Sequence, residues 1–181
     1  MRSLVTLGGR TWAAPYDVGP QTLYYRKDLF AEYGVDVPRT WDEFEAAAKK
    51  VKTASKGKAR ILDFAGDDVA TWAGLAQQAG ARWYGSSGDA WTVNIDDGAI
   101  KKVADYWKDL VRDDLVLNHK AWSPEATKAV TDSRAIALIG ASWSAGNIKT
   151  TYPSSPARGP RPRCPPGARP PPVPSAARRS P

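Results

Sequence analysis

Three carboxylates and two tryptophans are the residues of this chain best placed to meet a ligand. Asp67 and Asp68 stand side by side in AGDDVATW, between the apolar run Ile61 to Ala65 and a helical pattern that begins at Val69. Trp72 opens that helix. Asp17 lies in PYDVGP, flanked by Tyr16 and followed by Gln21. Trp143 follows the apolar run Ala135 to Ile139 in the Ser-flanked ASWSAGN, with Asn147 one helical turn later. A carboxylate accepts hydrogen bonds from hydroxyls, and a charged acceptor bonds more strongly than a neutral one. An indole offers a flat face that packs on the apolar C–H face of a pyranose. Eight Trp and seven Tyr make such faces plentiful. Open α/β sheets place ligands at the carboxyl ends of their strands, where both Trp143 and the Asp67–Asp68 loop fall. Each residue also has a purely structural use. Asp68 can cap its helix, Asp17 can bond its own backbone in a turn, Trp72 and Trp143 can pack in the core, and Asn147 can lie on an ordinary surface.

Other chemistries lack their residues. His119 is the one histidine and Cys164 the one cysteine, so neither a Ser/His/Asp set nor a cysteine- or histidine-rich metal cluster can be assembled. GDDVATWAG does not have the spacing of a phosphate-binding glycine loop. Asp67 and Asp68 offer two carboxylates, as glycosidases use, but adjacency in sequence says nothing about the separation such a pair needs. No catalytic residue, metal or cofactor is expected. The net charge of +7 comes almost wholly from residues 154–181, which hold six Arg and no acid. The 20 basic and 19 acidic residues of 1–153 nearly balance, so no nucleic-acid footprint is expected there. No apolar run approaches a membrane span.

The elements that must position these residues are signalled locally. Thr22 to Tyr25 reads as a strand, followed by a short helix ending near Gly34. Thr40 and Glu43 form a capping box for a helix from Trp41, with Phe44, Ala48 and Val51 on its apolar face and Gly57 closing the region. Ile61 to Ala65 reads as a buried strand, and Val69 to Ala79 as a helix ending at Gly80. Residues 82–98 are turn-rich, with Trp91 to Val93 a short strand. Ile100, Val103, Ala104, Trp107, Leu110 and Val111 recur at helical spacing. Ser123 and Pro124 start another helix, with Trp122 placed as a hydrophobic staple. Ala135 to Ile139 reads as a central strand ended by Gly140. Trp41 and Trp107 belong to the core; Trp83 and Trp91 fall in core or rim. Strands alternating with helices argue for an α/β layer.

From Ser154 the composition changes. Ten of 28 residues are Pro, with no aromatic residue and no Lys. Such a segment cannot bury enough apolar surface to order itself. The expected organisation is therefore a folded part over 1–153 and a disordered Pro/Arg-rich tail over 154–181. The tail reads as an out-of-frame product of a GC-rich gene or as a genuine Pro-rich linker.

The strings GRTWAAPYDVGP, LYYRKDLF and VPRTWDEFEAAAKKV, close together and in that order, resemble the extracellular solute-binding proteins of ABC importers, the branch that mostly carries sugars. The resemblance resumes at ATWAGLAQQAG, at the helix from Ile100 to Leu115 and at RAIALIGASWSAGNI, spanning Gly9 to Tyr152. It implies a partial, type II-like periplasmic-binding-protein lobe, mostly the second, entered through a hinge strand near 13–20. It also implies a small-molecule sugar as ligand and an ABC permease as partner of a full-length, monomeric parent outside the cytoplasm. It sets Trp143 as a stacking platform, Asp17 beside the cleft and a ligand contact in the Asp67–Asp68 loop. The start MRSLVTLGGR has no signal-peptide core, which fits a cytoplasmic chain or a true start upstream of Met1. A truncated chain that binds nothing alone is one expectation. A fragment of a glycoside-acting enzyme and a Pro/Arg-rich interaction module are the alternatives.

Overall fold

Each long helix begins where a side chain can take up the N–H groups that a helix start leaves free. The computed structural model describes residues 6–7, 9–14, 19–87 and 90–151. Asp17, Tyr16 and the whole of 154–181 lie outside them. A two-stranded ribbon, β1 (Thr6–Leu7) with β2 (Arg10–Thr11), precedes β3 (Gln21–Tyr25) and the short helix α1 (Lys27–Glu32). In α2 (Trp41–Ala54) the Thr40 hydroxyl accepts from the Glu43 N–H at 3.1 Å. The reciprocal half of the capping box is shifted by one residue. The Glu43 carboxylate accepts from the Arg39 N–H at 2.6 Å instead of that of Thr40. Asp68 caps α3 (Val69–Gln78), Asp97 caps α4 (Gly98–Arg112), and Ser123 caps α5 (Pro124–Thr131) with Pro at the first position.

The central sheet has the order β3, β7 (Ala135–Ala141), β4 (Arg60–Leu62). β4 runs parallel to β7, with Leu62 opposite Ala137. β3 runs antiparallel to it, with Gln21 opposite Ala141. Two expected boundaries move. β7 passes through Gly140, because its pairing with β3 continues to Ala141. Gly140 is needed for another reason: a β-carbon there would sit 2.8 Å from the Ser144 hydroxyl oxygen at the start of α6 (Ser144–Thr151). β4 is shorter than the apolar run, since beyond Leu62 the chain pairs with residue 117 instead. The Leu117 N–H donates to the Leu62 carbonyl at 2.9 Å and the Phe64 N–H to the Leu117 carbonyl at 2.8 Å. The turn-rich stretch holds an unforeseen strand, β5 (Tyr84–Ser87), paired with β6 (Ala90–Val93). Trp91 there is exposed, whereas Trp83 is half-buried with its indole N–H unpartnered.

The core sits between the sheet and the apolar faces of α2 and α4. Phe44 and Val51 of α2 and Val103, Trp107 and Leu110 of α4 are buried together with Ile61, Leu62, Phe64 and Ile136. Tyr106 closes the seam between the helices by donating its hydroxyl to the Trp41 carbonyl at 2.8 Å. Trp122 does not act as a staple. It is 90% exposed, with φ 60°, and its partner position in α5 would be Thr127, which offers no apolar side chain.

One ion pair locks the end of β4. Arg60 is buried and forks onto Asp114, and its guanidinium also donates to the Gly57 and Ala59 carbonyls at 2.8 and 2.9 Å. Lys52 reaches the same carboxylate at 3.1 Å. The Arg60 hydrogen bond, helped by Lys52, holds the Asp114 carboxyl below its ordinary pKa. Its stabilising effect is therefore present above the unfolded-state value and is lost as pH falls through the lower folded-state value. Asp114 has φ 55°, which Asn tolerates, so Asp114→Asn isolates the charge. The expected loss at neutral pH is about 1–2 kcal/mol, discounted because the carboxylate is half exposed. Urea midpoints should converge for wild type and variant only once the pH has fallen through that lowered folded-state value, where both carry an uncharged side chain. An undiminished gap in acid would show that the charge is not the cause.

Candidate functional site

Parallel pairing puts the carboxyl ends of β4 and β7 at one edge of the sheet, and antiparallel pairing makes β3 begin there. Residues 63–68, 142–143 and 19–20 therefore meet at the same edge. Each is anchored by the fold. The Tyr24 hydroxyl donates to the Ala141 carbonyl at 2.9 Å and to that of Ser142 at 3.2 Å, fixing the turn that carries Trp143. The Trp143 ring lies directly on Gly19. A β-carbon there would come within 2.3 Å of Cζ3 and 2.5 Å of Cη2. With one edge held by bare backbone, the indole remains 60% exposed. Gln21 ties the edge to α3. Its amide donates to the Ala70 and Thr71 carbonyls at 3.2 and 3.3 Å and fills the space over Gly74. That use accounts for Gln21 without a ligand.

Beyond β4 the chain builds a concavity of about 440 Å³ lined by Gly66, Asp67, Asn118, His119 and Lys120. One of these residues, His119, is held by a partner that local sequence signals cannot reveal. The Asp63 carboxylate, 8% exposed, accepts from the His119 N–H at 2.9 Å and lies 2.7 Å from His119 Nδ1. Asp63 and His119 are 56 residues apart, so no helical or strand spacing announces them. Asp67 then accepts from the Ala121 N–H at 2.8 Å. Two carboxylates thus clamp residues 119–121 onto the end of β4, and the rest of the Asp67 carboxylate faces solvent. The concavity is mixed in character: an amide, an ammonium and a carboxylate stand beside apolar surface. Among the described residues no cluster of three or more His, Cys, Asp or Glu could hold a metal ion.

The six residues singled out from sequence fall in different places. Asp67 lines the concavity. Asp68 is committed to the helix start: its Oδ1 accepts from the Ala70 N–H at 3.1 Å and its Oδ2 from the Thr71 hydroxyl at 2.6 Å. Trp72 is half-buried. Its indole N–H donates to the Gly66 carbonyl at 2.7 Å and its ring meets Phe64 edge-on at 5.4 Å, so it braces the Asp67 loop from behind. Trp143 stands on the β7 side of the edge, with Asn147 exposed on α6. Neither lines the concavity. Asp17 lies outside the described residues.

Comparison with known proteins agrees with this fold. The family model of the bacterial extracellular solute-binding proteins matches residues 2–179. That match runs past residue 153, so it does not itself separate the Pro/Arg-rich segment from the rest. The lactose-binding protein of Rhizobium radiobacter is 27% identical over 151 residues, 81% of this chain and 35% of that protein. The mannitol-binding protein of Pseudomonas aeruginosa is 27% identical over 113 residues, 59% of this chain and 25% of that protein. Among solved structures, the galacto-N-biose/lacto-N-biose I-binding protein of the Bifidobacterium longum ABC transporter, in complex with lacto-N-biose, superposes with a TM-score of 0.71. It is 30% identical, over 84% of this chain and 37% of that one. A binding protein from B. animalis subsp. lactis, in complex with β-1,6-galactobiose, gives 0.69 at 27% identity, over 84% and 38%. The chain thus spans about a third of the length of its relatives, and its α/β fold is part of a periplasmic-binding-protein lobe. The chain belongs to the bacterial extracellular solute-binding proteins.

Proposed function

We propose that this chain supplies one wall of the cleft of a carbohydrate-binding component of an ABC importer, acting outside the cytoplasm and delivering its ligand to a membrane permease. Proteins of this architecture hold ligand between two lobes that close by a hinge movement, and no bond is broken. The carrying observation is Trp143. An indole held by Gly19 on one edge and 60% open at a strand end is a stacking platform for a sugar ring. In this reading Asp67 accepts hydroxyls on the β4 side, Asn147 adds an amide beside Trp143, and Asp17 contributes from the segment entering β3. Asp68 and Trp72 act by holding the Asp67 loop. The relatives are named for lactose and mannitol and the solved structures hold disaccharides, which supports a sugar or polyol as ligand.

Titrating the full chain with lactose and following the indole N–H signals by NMR tests this. The Trp143 signal, identified by its absence in Trp143→Ala, should shift and saturate. Millimolar affinity is expected from one wall alone, about −4 kcal/mol. No shift of Trp143 with lactose, mannitol or galactobiose would remove the proposal.

A further inference from the structure

Trp122 is the most exposed large apolar side chain among the described residues, at 90%. The Ser123 N–H donates to the Lys120 carbonyl at 3.2 Å, which closes a four-residue turn with Trp122 third. Trp122 has φ 60° and Ala121 is not among the positive-φ residues, the pattern of a type II turn. The third position of that turn favours Gly or Asn. A bulky residue there is a genuine outlier, and a ring in water adds nothing to packing. Neither feature helps the fold, so an observed outlier of this kind points to a surface role.

The surroundings say which role. Lys120, two residues before Trp122, lines the concavity, as do Asn118 and Asp67. Ala121, immediately before it, is held by the Asp67 carboxylate at 2.8 Å. The Asp63–His119 pair fixes the backbone just ahead of that. Trp122 does not itself line the concavity, but its open ring is carried on a pinned turn that begins at Lys120, a residue of its rim. A protein-binding hot spot or a membrane anchor would want apolar neighbours for the ring. A saccharide wants one apolar face and a mixed set of donors and acceptors. We infer that Trp122, with Asn118, Lys120 and Asp67, forms a second saccharide subsite apart from Trp143, so that the ligand is an oligosaccharide rather than a monosaccharide. This rests on the carbohydrate-binding function proposed for the chain.

The test uses the full ¹⁵N-labelled chain with galactose, lactose and a β-linked galactotetraose. The Trp122 indole signal is the one missing in Trp122→Gly. It should stay still with galactose and shift with the tetrasaccharide, while Trp143 shifts with both. Trp122→Gly should weaken tetrasaccharide binding about tenfold, as loss of an aromatic anchor does, and leave lactose binding unchanged. The same variant should melt at a higher temperature, because Gly adopts φ 60° without strain. Asn118→Ala should lower tetrasaccharide affinity in the same direction. If Trp143 responds to sugars while Trp122 stays silent, or Trp122→Gly leaves tetrasaccharide affinity intact, the subsite is overturned and the carbohydrate function stands. If neither indole responds to any of the three sugars, both fall.

Discussion

Replacing Trp107 with alanine should cost about 3–5 kcal/mol, the range for emptying a fully packed aromatic site. Trp107 is 2% exposed and lies where α2, α4 and β4 converge. It stacks on Phe64 at 4.0 Å with an interplanar angle of 8°. Trp41, Phe44 and Tyr106 meet it edge-on at 5.7, 5.9 and 5.7 Å. No neighbour can collapse into such a gap without breaking another ring contact, so the cavity term should be near its maximum. A small domain is stable by only about 5–15 kcal/mol, so this one change should remove a large share. Phe64 also leads into the Gly66–Asp67 loop, so what survives folded should carry a loosened site. Trp107→Phe keeps a ring against Phe64 and should lose less. Urea unfolding followed by circular dichroism reads both variants. A loss below about 1 kcal/mol for the alanine variant would mean that the ring is not packed as described.

Local chemistry was legible in the sequence and long-range chemistry was not. Thr40, Asp68 and Ser123 each cap a helix within three residues of themselves, and the Val103–Trp107–Leu110 stripe repeats within a single element. The β7 run is apolar because its first three residues are buried in the middle of the sheet. By contrast, Asp63 meets His119 across 56 residues and Arg60 meets Asp114 across 54. No periodicity encodes such pairs; they exist only once β4 is laid beside residue 117. His119 therefore reads as isolated in sequence and as one side of a clamp in the fold. Trp122 failed for a different reason. A residue before an N-cap is placed as a staple by its sequence position, but its φ of 60° and the polar Thr127 leave the ring in solvent. The place of Trp143 after a strand was legible because a strand end is a local signal, although its seat on Gly19, 124 positions away in the chain, was not.

Trp143→Ala should weaken saccharide binding by tenfold or more and leave the fold intact. A buried aromatic anchor typically contributes about 2 kcal/mol or more at a binding site, and roughly 1.4 kcal/mol is one decade of affinity. In the free chain the ring is 60% exposed, so its removal should change stability by no more than about 0.5 kcal/mol. Lactose affinity of the full chain, set beside its urea midpoint, separates the two effects. Gly19 supplies a second test that leaves the indole in place. A β-carbon at residue 19 would meet the ring at 2.3 Å, and the ring is the far, open end of a side chain, so it would swing aside instead of unfolding the sheet. Gly19→Ala should therefore lower lactose affinity in the same direction as Trp143→Ala at nearly unchanged stability. If Trp143→Ala lowers stability by several kcal/mol while the folded fraction binds lactose normally, the ring is a packing residue and the platform must be sought elsewhere on the edge. If both variants bind as wild type, the sugar does not stack on this side of the sheet at all.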